Sequence, residues 1–392
     1  MKKIIKISLL LVITFFIGCS SDGGGSPDFS SITLTTKTPQ LINNGLSISC
    51  GGNASTSITS YTYGICYSAS PNPTIINNVQ YTSESTSGEF INTIDVIELG
   101  TTIYLKAFIQ NNVSSEIKYG NEVSINVPLT ITTGIVKGIS TNGFNLDITI
   151  GSNLSSNLER GVCFGTGQNP IIGDVGVYVV QSNSNGAGTF NISTEDYSHV
   201  LPNTNYNLRS YVKMGNLYYY GNQVSFRTTG YIGGSGGYIF YDKGETTNGW
   251  RYLEAYGSYL TYTITQPYFK WSCNNNFISG ISNEIGTGLE NSHLIKNVCN
   301  FSDVAAAVAL DKTYNNQNSG SWFVPSIEEL KQLYKLKVAG VFNFSGVGSL
   351  LSSSQSSATE CFAISVNGSN PGIPSIDIKT SASYNAWPVR RF

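Results

Sequence analysis

The chain repeats itself, and the period dictates what it can fold into. Gly64-Ile65-Cys66-Tyr67, followed by Asn72-Pro73, recurs as Gly161-Val162-Cys163-Phe164, followed by Asn169-Pro170. Leu99-Gly100-Thr101-Thr102-Ile103-Tyr104 returns as Leu201-Pro202-Asn203-Thr204-Asn205-Tyr206, and Tyr119-Gly120-Asn121-Glu122-Val123-Ser124-Ile125 as Tyr220-Gly221-Asn222-Gln223-Val224-Ser225-Phe226. A period of roughly a hundred residues is the size of one β-sandwich domain.

Within each repeat, apolar and polar residues alternate. Tyr104-Leu105-Lys106-Ala107-Phe108-Ile109-Gln110 and Tyr206-Asn207-Leu208-Arg209-Ser210-Tyr211-Val212-Lys213 are the clearest cases, and Gly, Asn and Pro clusters interrupt them. That is the period of half-buried strands. Tyr104 and Tyr206, a few residues after a Leu-x-x-x turn, resemble the tyrosine corner of immunoglobulin-like and fibronectin type III domains. Two tandem all-β sandwiches are therefore expected, at residues 31–128 and 129–229. Cys66 and Cys163 fall at equivalent strand positions. Cys163 has no evident partner and reads as a buried free thiol, whereas Cys50 could bridge Cys66 if the strand geometry allows it.

The N-terminus is an address. Lys2, Lys3 and Lys6 precede the apolar run from Ile7 to Ile17, too short to span a bilayer and the length of a signal-peptide core. Phe16-Ile17-Gly18-Cys19 resembles the lipobox of bacterial lipoproteins, which implies a signal peptide at 1–18 and acylation of Cys19. Two or more acyl chains, at about 0.8 kcal/mol per buried methylene, make a stable anchor. Residues 19–30 are dominated by Ser, Gly and Asp, a flexible tether. Ser21-Asp22-Gly23-Gly24-Gly25 resembles the signals that send some lipoproteins to the outer face of the outer membrane. The expected location is the outer membrane, lipid-anchored at the cell surface, with the periplasmic face as the alternative.

Charged side chains make up 12% of the chain, against about 25% in an ordinary soluble protein. With Lys+Arg 22 against Asp+Glu 24 and no basic run in the mature part, nucleic acid is not an expected partner. His199 and His293 stand apart from any Cys/His cluster at ligand spacing, so neither metal nor cofactor is expected. The glycine-rich Gly230-Tyr231-Ile232-Gly233-Gly234-Ser235-Gly236-Gly237 lacks a following Lys-Ser/Thr and opens onto a strand, so it reads as a linker and not a phosphate cradle.

Residues 230–392 change character to α+β. Strands are expected at Tyr238–Tyr241, Gly249–Ala255, Cys361–Val366 and Ser375–Ile378, and helices at Ser302–Leu310 and Pro325–Tyr334. The second helix opens with a Ser326/Glu329 capping box. Gly236–Tyr241, Ile285–Asn291, Gly320–Leu330, Leu351–Ser354 and Pro388–Phe392 occur in the order found in the Lcl C-terminal domain family, also met as the Fibrobacter succinogenes major paralogous domain, which this region resembles. Leu351 stands where that family often has Trp, and Cys361-Phe362 where Ala-Trp is common. The resemblance implies a C-type lectin-like domain, its terminal strands paired around two helices, acting as a recognition head. No calcium-binding Glu-Pro-Asn or Gln-Pro-Asp is present. Formylglycine-making oxidases share that superfold, but Cys273, Cys299 and Cys361 form no redox motif. An enzyme is not expected.

Tyr256, Tyr259, Tyr262, Tyr268 and Trp271 concentrate aromatic rings in a Ser/Thr/Asn-rich stretch, a composition suited to stacking on sugars or to a protein contact. Buried packing is the competing reading of the same residues. The sequence thus points to a lipid-anchored envelope protein with two sandwich spacers and a non-catalytic head that binds a glycan or protein. Its rival is a structural envelope component whose head docks permanently on a partner. Arg390 and Arg391 should end the last strand on opposite faces, the inward one requiring a carboxylate.

Overall fold

The computed structural model describes residues 28–43, 47–82, 88–95, 99–151, 158–183, 187–261, 268–313, 317–318, 320–367 and 370–392. The signal peptide, Cys19, most of the tether and Tyr262 lie outside them. Two compact units divide between Val127 and Pro128.

The first unit carries β1 (Leu34–Thr36), β2 (Gln40–Ile42), β3 (Ser47–Ala54), β4 (Tyr61–Ser68), β5 (Asn78–Tyr81), β6 (Glu89–Asp95), β7 (Thr102–Asn111), β8 (Ile117–Tyr119) and β9 (Val123–Asn126). Strand β3 pairs with β1 and β2 on one side and β6 on the other, while the second sheet runs β5-β4-β7 with β8 and β9 both on β7. Alternation explains the layering: in β6, Phe90, Asn92 and Ile94 are buried and their neighbours exposed. Tyr63 of β4 meets Phe90 of β6 at 5.2 Å between ring centroids, joining the sheets.

The second unit opens with the same sandwich, built from β10 (Thr130–Lys137), β11 (Asn145–Gly151), β12 (Glu159–Gly165), β13 (Tyr178–Gln181), β14 (Gly188–Ser193), β15 (Asn205–Met214) and β16 (Leu217–Arg227). Its sheets run β10-β11-β14 and β13-β12-β15-β16. Both repeats are thus fibronectin III/immunoglobulin-like antiparallel sandwiches. The polar framework is duplicated as well. Thr36 Oγ1 accepts the Ala107 N–H at 3.0 Å, and Thr133 Oγ1 the Ser210 N–H at 2.9 Å. Asn121 and Asn222 accept from the Thr36 and Thr133 N–H groups, and the Tyr119 and Tyr220 hydroxyls from those of Ile75 and Ile172. Asn72 and Asn169, at φ 61° and 49°, occupy the left-handed region that Asn tolerates. The repeated sequence blocks are therefore the turns and sheet ties of the sandwich.

Of the two expected tyrosine corners, one forms among the described residues. Tyr206 is buried; its hydroxyl donates to His199 O at 3.2 Å and accepts the Leu201 N–H at 3.0 Å. Cys66 lies opposite Lys106 as Cys163 lies opposite Arg209, a register that puts Ile103, and not Tyr104, at the place of Tyr206. A shift of one residue turns a side chain to the other face, and Tyr104 is half-exposed. The strand geometry does not allow a Cys50–Cys66 bridge: Cys50 lies in β3, Cys66 in β4 of the opposing sheet, and both are free and buried. Cys163 is likewise a buried free thiol.

From Gly230 the chain is tied down at once. Gly230 N–H donates to Ile239 O, and Gly233 and Gly237 close a turn, so the expected linker is part of the fold. The remaining elements are β17 (Tyr238–Thr247), β18 (Trp250–Ala255), α1 (Gly288–Val298), α2 (Ala305–Asp311), α3 (Ile327–Val338), β19 (Ser349–Gln355), β20 (Glu360–Ser365), β21 (Pro374–Ile378) and β22 (Val389–Arg391). Asn248 and Gly249, both at positive φ, turn β17 into β18. Strand β18 also pairs with the closing β22, and β19-β20-β21 form a separate sheet. One apolar cluster packs α3 on β17, β18 and β22 through Phe240, Leu253, Leu330, Leu333 and Val389. Another gathers α1, α2 and β19 around Ile295, Ala306, Ala309 and Leu351. Ile139 exchanges both backbone hydrogen bonds with Asp242 of β17, and Lys335 of α3 pairs with Glu195 and Asp196. The second sandwich is therefore docked on the α+β region.

Candidate functional site

The five sequence blocks of the C-terminal region meet in space as a buried hydrogen-bonded framework. Glu329, fully buried, accepts the Gly286 N–H at 2.8 Å and the Gly288 N–H at 3.4 Å on Oε1, and the Ser326 N–H at 2.7 Å on Oε2. The capping box at Ser326 is present. A Cβ on Gly288 would lie 2.3 Å from Glu329 Oε2, so that position admits only glycine. Burial pushes the Glu329 carboxyl up to about 7 despite the three N–H donors. Ser354 Oγ accepts the Ile327 N–H and donates to Ser282 O. In the closing strand Arg390 turns inward onto the buried Glu254 (Nε to Oε2 2.7 Å), and Arg391 pairs with the exposed Glu290. These residues hold the fold.

The aromatic run is dispersed. Trp271 is buried among α1, α2 and β19, with Lys379 Nζ 4.4 Å from its ring centroid, so it is a core side chain and not a stacking platform. Tyr256 and Tyr259 are half-buried against Trp322 and Trp387. Tyr268 is exposed.

A different set of residues lines two adjoining hollows of the C-terminal region. Where the end of α1 meets α2, a hollow of about 400 Å³ is lined by Thr261, Asn300, Phe301, Ser302, Val308 and Lys312 among others. A second, of about 520 Å³, is lined by His293, Lys296, Asn297 and Gly320. Asn300 and Asp311 line both, and the Lys296–Asp311 ion pair stands on their common wall. Phe301 exposes 57% of its surface, an aromatic face amid amides and hydroxyls.

That wall is well held. Helix α1 ends at Cys299, whose N–H donates to Ile295 O, and a Cys273–Cys299 disulfide fixes this point. Two residues further on, Phe301 O accepts the Val304 N–H, and Lys270 binds Asp303 through both backbone and side chain (2.8 Å each). The segment 300–303 is therefore clamped at each end, which lowers the ordering cost of binding there. Helix α1 shows no apolar period in the sequence because Asn291 and Ser292, two of its four buried residues, are polar; they are satisfied by Ser282 O and by Val324. Asn297, Asn300 and Phe301 carried no signal beyond a polar turn.

No protein-family profile matches the chain, and neither does any curated protein. Among solved structures, it is similar to the chicken CNTN1 FN1–FN3 domains, at 11% identity over 46% of this chain and 62% of that one, with a TM-score of 0.19. A tetra-tandem repeat in the extending region of a large adhesion protein matches at 12% identity over 50% and 49%, TM-score 0.25. The chicken interferon gamma receptor alpha chain matches at 9% over 50% and 98%, TM-score 0.21. The chain thus spans less than two thirds of the first of these structures, and likeness at this level carries no functional argument.

Proposed function

We propose that this is a non-catalytic recognition protein of the cell envelope, acylated at Cys19, whose C-terminal head binds a glycan in the paired hollows between α1 and α2. The observation that carries this reading is the residue set of those hollows. Asn297, Asn300, Asp311 and Ser302 offer donors and acceptors to a hydroxyl-rich ligand, and Phe301 offers a ring to the apolar face of a sugar. The C-type lectin-like reading of the head is kept as part of this proposal; the pairing of β18 with the closing β22 supports it.

The test is a glycan and matrix-protein array probed with the full chain and with Asn300→Ala/Phe301→Ala. Both residues are exposed, so the variant should retain its melting temperature and lose at least tenfold in affinity. Binding that survives intact in the folded variant refutes the site. Binding to a protein partner alone, through the exposed Ile376 and Ile378 of β21, would favour a structural envelope component instead.

A further inference from the structure

Lys379 is fully buried, a rare state for lysine unless a carboxylate accompanies it. Here Nζ lies 2.7 Å from Gln355 Oε1, 3.1 Å from Asn276 O and over the Trp271 ring. No described carboxylate pairs with it. An ammonium so placed is costly, and burial lowers the lysine pKa.

The acceptor is equally unusual. Gln355 is buried at the end of β19, and its Oε1 also accepts the Ile278 N–H at 3.2 Å, while Nε2 donates to Ile278 O. The Ile278 N–H polarises this carbonyl as an oxyanion-hole donor polarises a substrate, and the Lys379 amine rests against it. A buried amine therefore touches an activated carboxamide, held there by the sheet at high effective concentration.

We infer that Lys379 and Gln355 form a modification site at which the side chains join in an intramolecular isopeptide bond. The Nζ lone pair attacks Gln355 Cδ and the Oε1 charge is held by the Ile278 N–H. One amine proton passes to Nε2, the Cδ–Nε2 bond breaks and ammonia leaves. Electrons and atoms balance without oxidant or co-reactant. The product is a neutral amide that leaves no ionisable amine in the core, and its N–H remains beside Asn276 O. The bond would tie the end of β19 to the residue after β21, closing a loop of 24 residues around the three-stranded sheet and restricting the unfolded chain as a disulfide does. It is independent of the glycan reading.

Mass mapping of the purified full chain after denaturation and reduction tests this. Trypsin has no site between Lys337 and Lys379, and a glutamate-specific protease cuts after Glu360, between the two partners. The expected result is fragments 338–360 and 361–390 joined, uncut after Lys379 and lighter by one ammonia. Lys379→Met should restore separate fragments of full mass. A free fragment ending at Lys379 with Gln355 unchanged overturns the inference, whether or not the variant folds. So does an ammonia deficit that maps to Cys361, which lies opposite Gln355 in the sheet, as a hydroxylamine-sensitive thioester.

Discussion

Replacing Cys273 by Ser tests how the wall of the candidate site is held. The disulfide closes a sequence separation of 26 residues, for which loop-closure entropy gives about 3.5 kcal/mol of stabilisation. Cys273 is the exposed partner and Cys299 the buried one, so the substitution removes the bond without opening a cavity, and Ser272 Oγ stays beside Cys299 Sγ. For a unit the size of Pro128–Phe392, roughly 2–4 °C per kcal/mol implies a fall in melting temperature of about 7–14 °C. Calorimetry of the full chain supplies its own control, because the first compact unit should melt unchanged. Reduced wild type should match the variant, and glycan affinity should fall as Asn300 and Phe301 lose their anchor. A loss below about 1 kcal/mol, within the range of an ordinary surface substitution, or an equal shift of both transitions would refute the argument.

Glu329 should make the second unit less stable as pH rises: its carboxyl stays protonated to about 7 when folded and to the ordinary 4.5 when unfolded. The contribution is present below pH 4.5 and is lost by pH 7, about 3 kcal/mol in all; urea midpoints across that window should slope for wild type and flatten for Glu329→Gln, and an unchanged slope refutes the assignment. Arg390→Met strands the buried Glu254 carboxylate, with an expected cost of about 3–5 kcal/mol by urea denaturation; a cost under 1 kcal/mol would show that Glu254 finds another partner. Burial pushes Cys50, Cys66 and Cys163 up to about 11 and Cys361 up to about 12, so a thiolate-specific reagent at pH 8 should find no reactive thiol in the native chain. In denaturant, without reductant, it should find four; a fifth would mean that Cys19 is not acylated.

Much of the scaffold was legible because local chemistry dictates it. Asn72-Pro73 and Asn169-Pro170 announce the same turn, since Asn accepts the left-handed φ that each requires. Ser326 with Glu329 announces a helix start, since both groups of the capping box lie within four residues. Alternation in β6 and β11 reports which face is buried. The candidate site was far less legible. The aromatic run promised a surface, but an aromatic ring buries as readily as it stacks, and the packing of α1 and α2 enclosed Trp271. The residues that line the hollows are ordinary polar ones, brought together as a candidate site by a disulfide and the Lys270–Asp303 pair.

Local pattern was enough for the tandem sandwiches, the capping box of α3 and the placing of Arg390 and Arg391 on opposite faces, because period, turn residues and strand alternation act over a few residues. Four further points rest on the folded arrangement: Tyr206 and not Tyr104 makes a corner, Cys273 meets Cys299, Asn291 and Ser292 sit in a core, and Lys379 lies buried against Gln355. Each of these depends on register or on contacts between distant segments, where a shift of one residue exchanges inside for outside, and no local pattern encodes that choice.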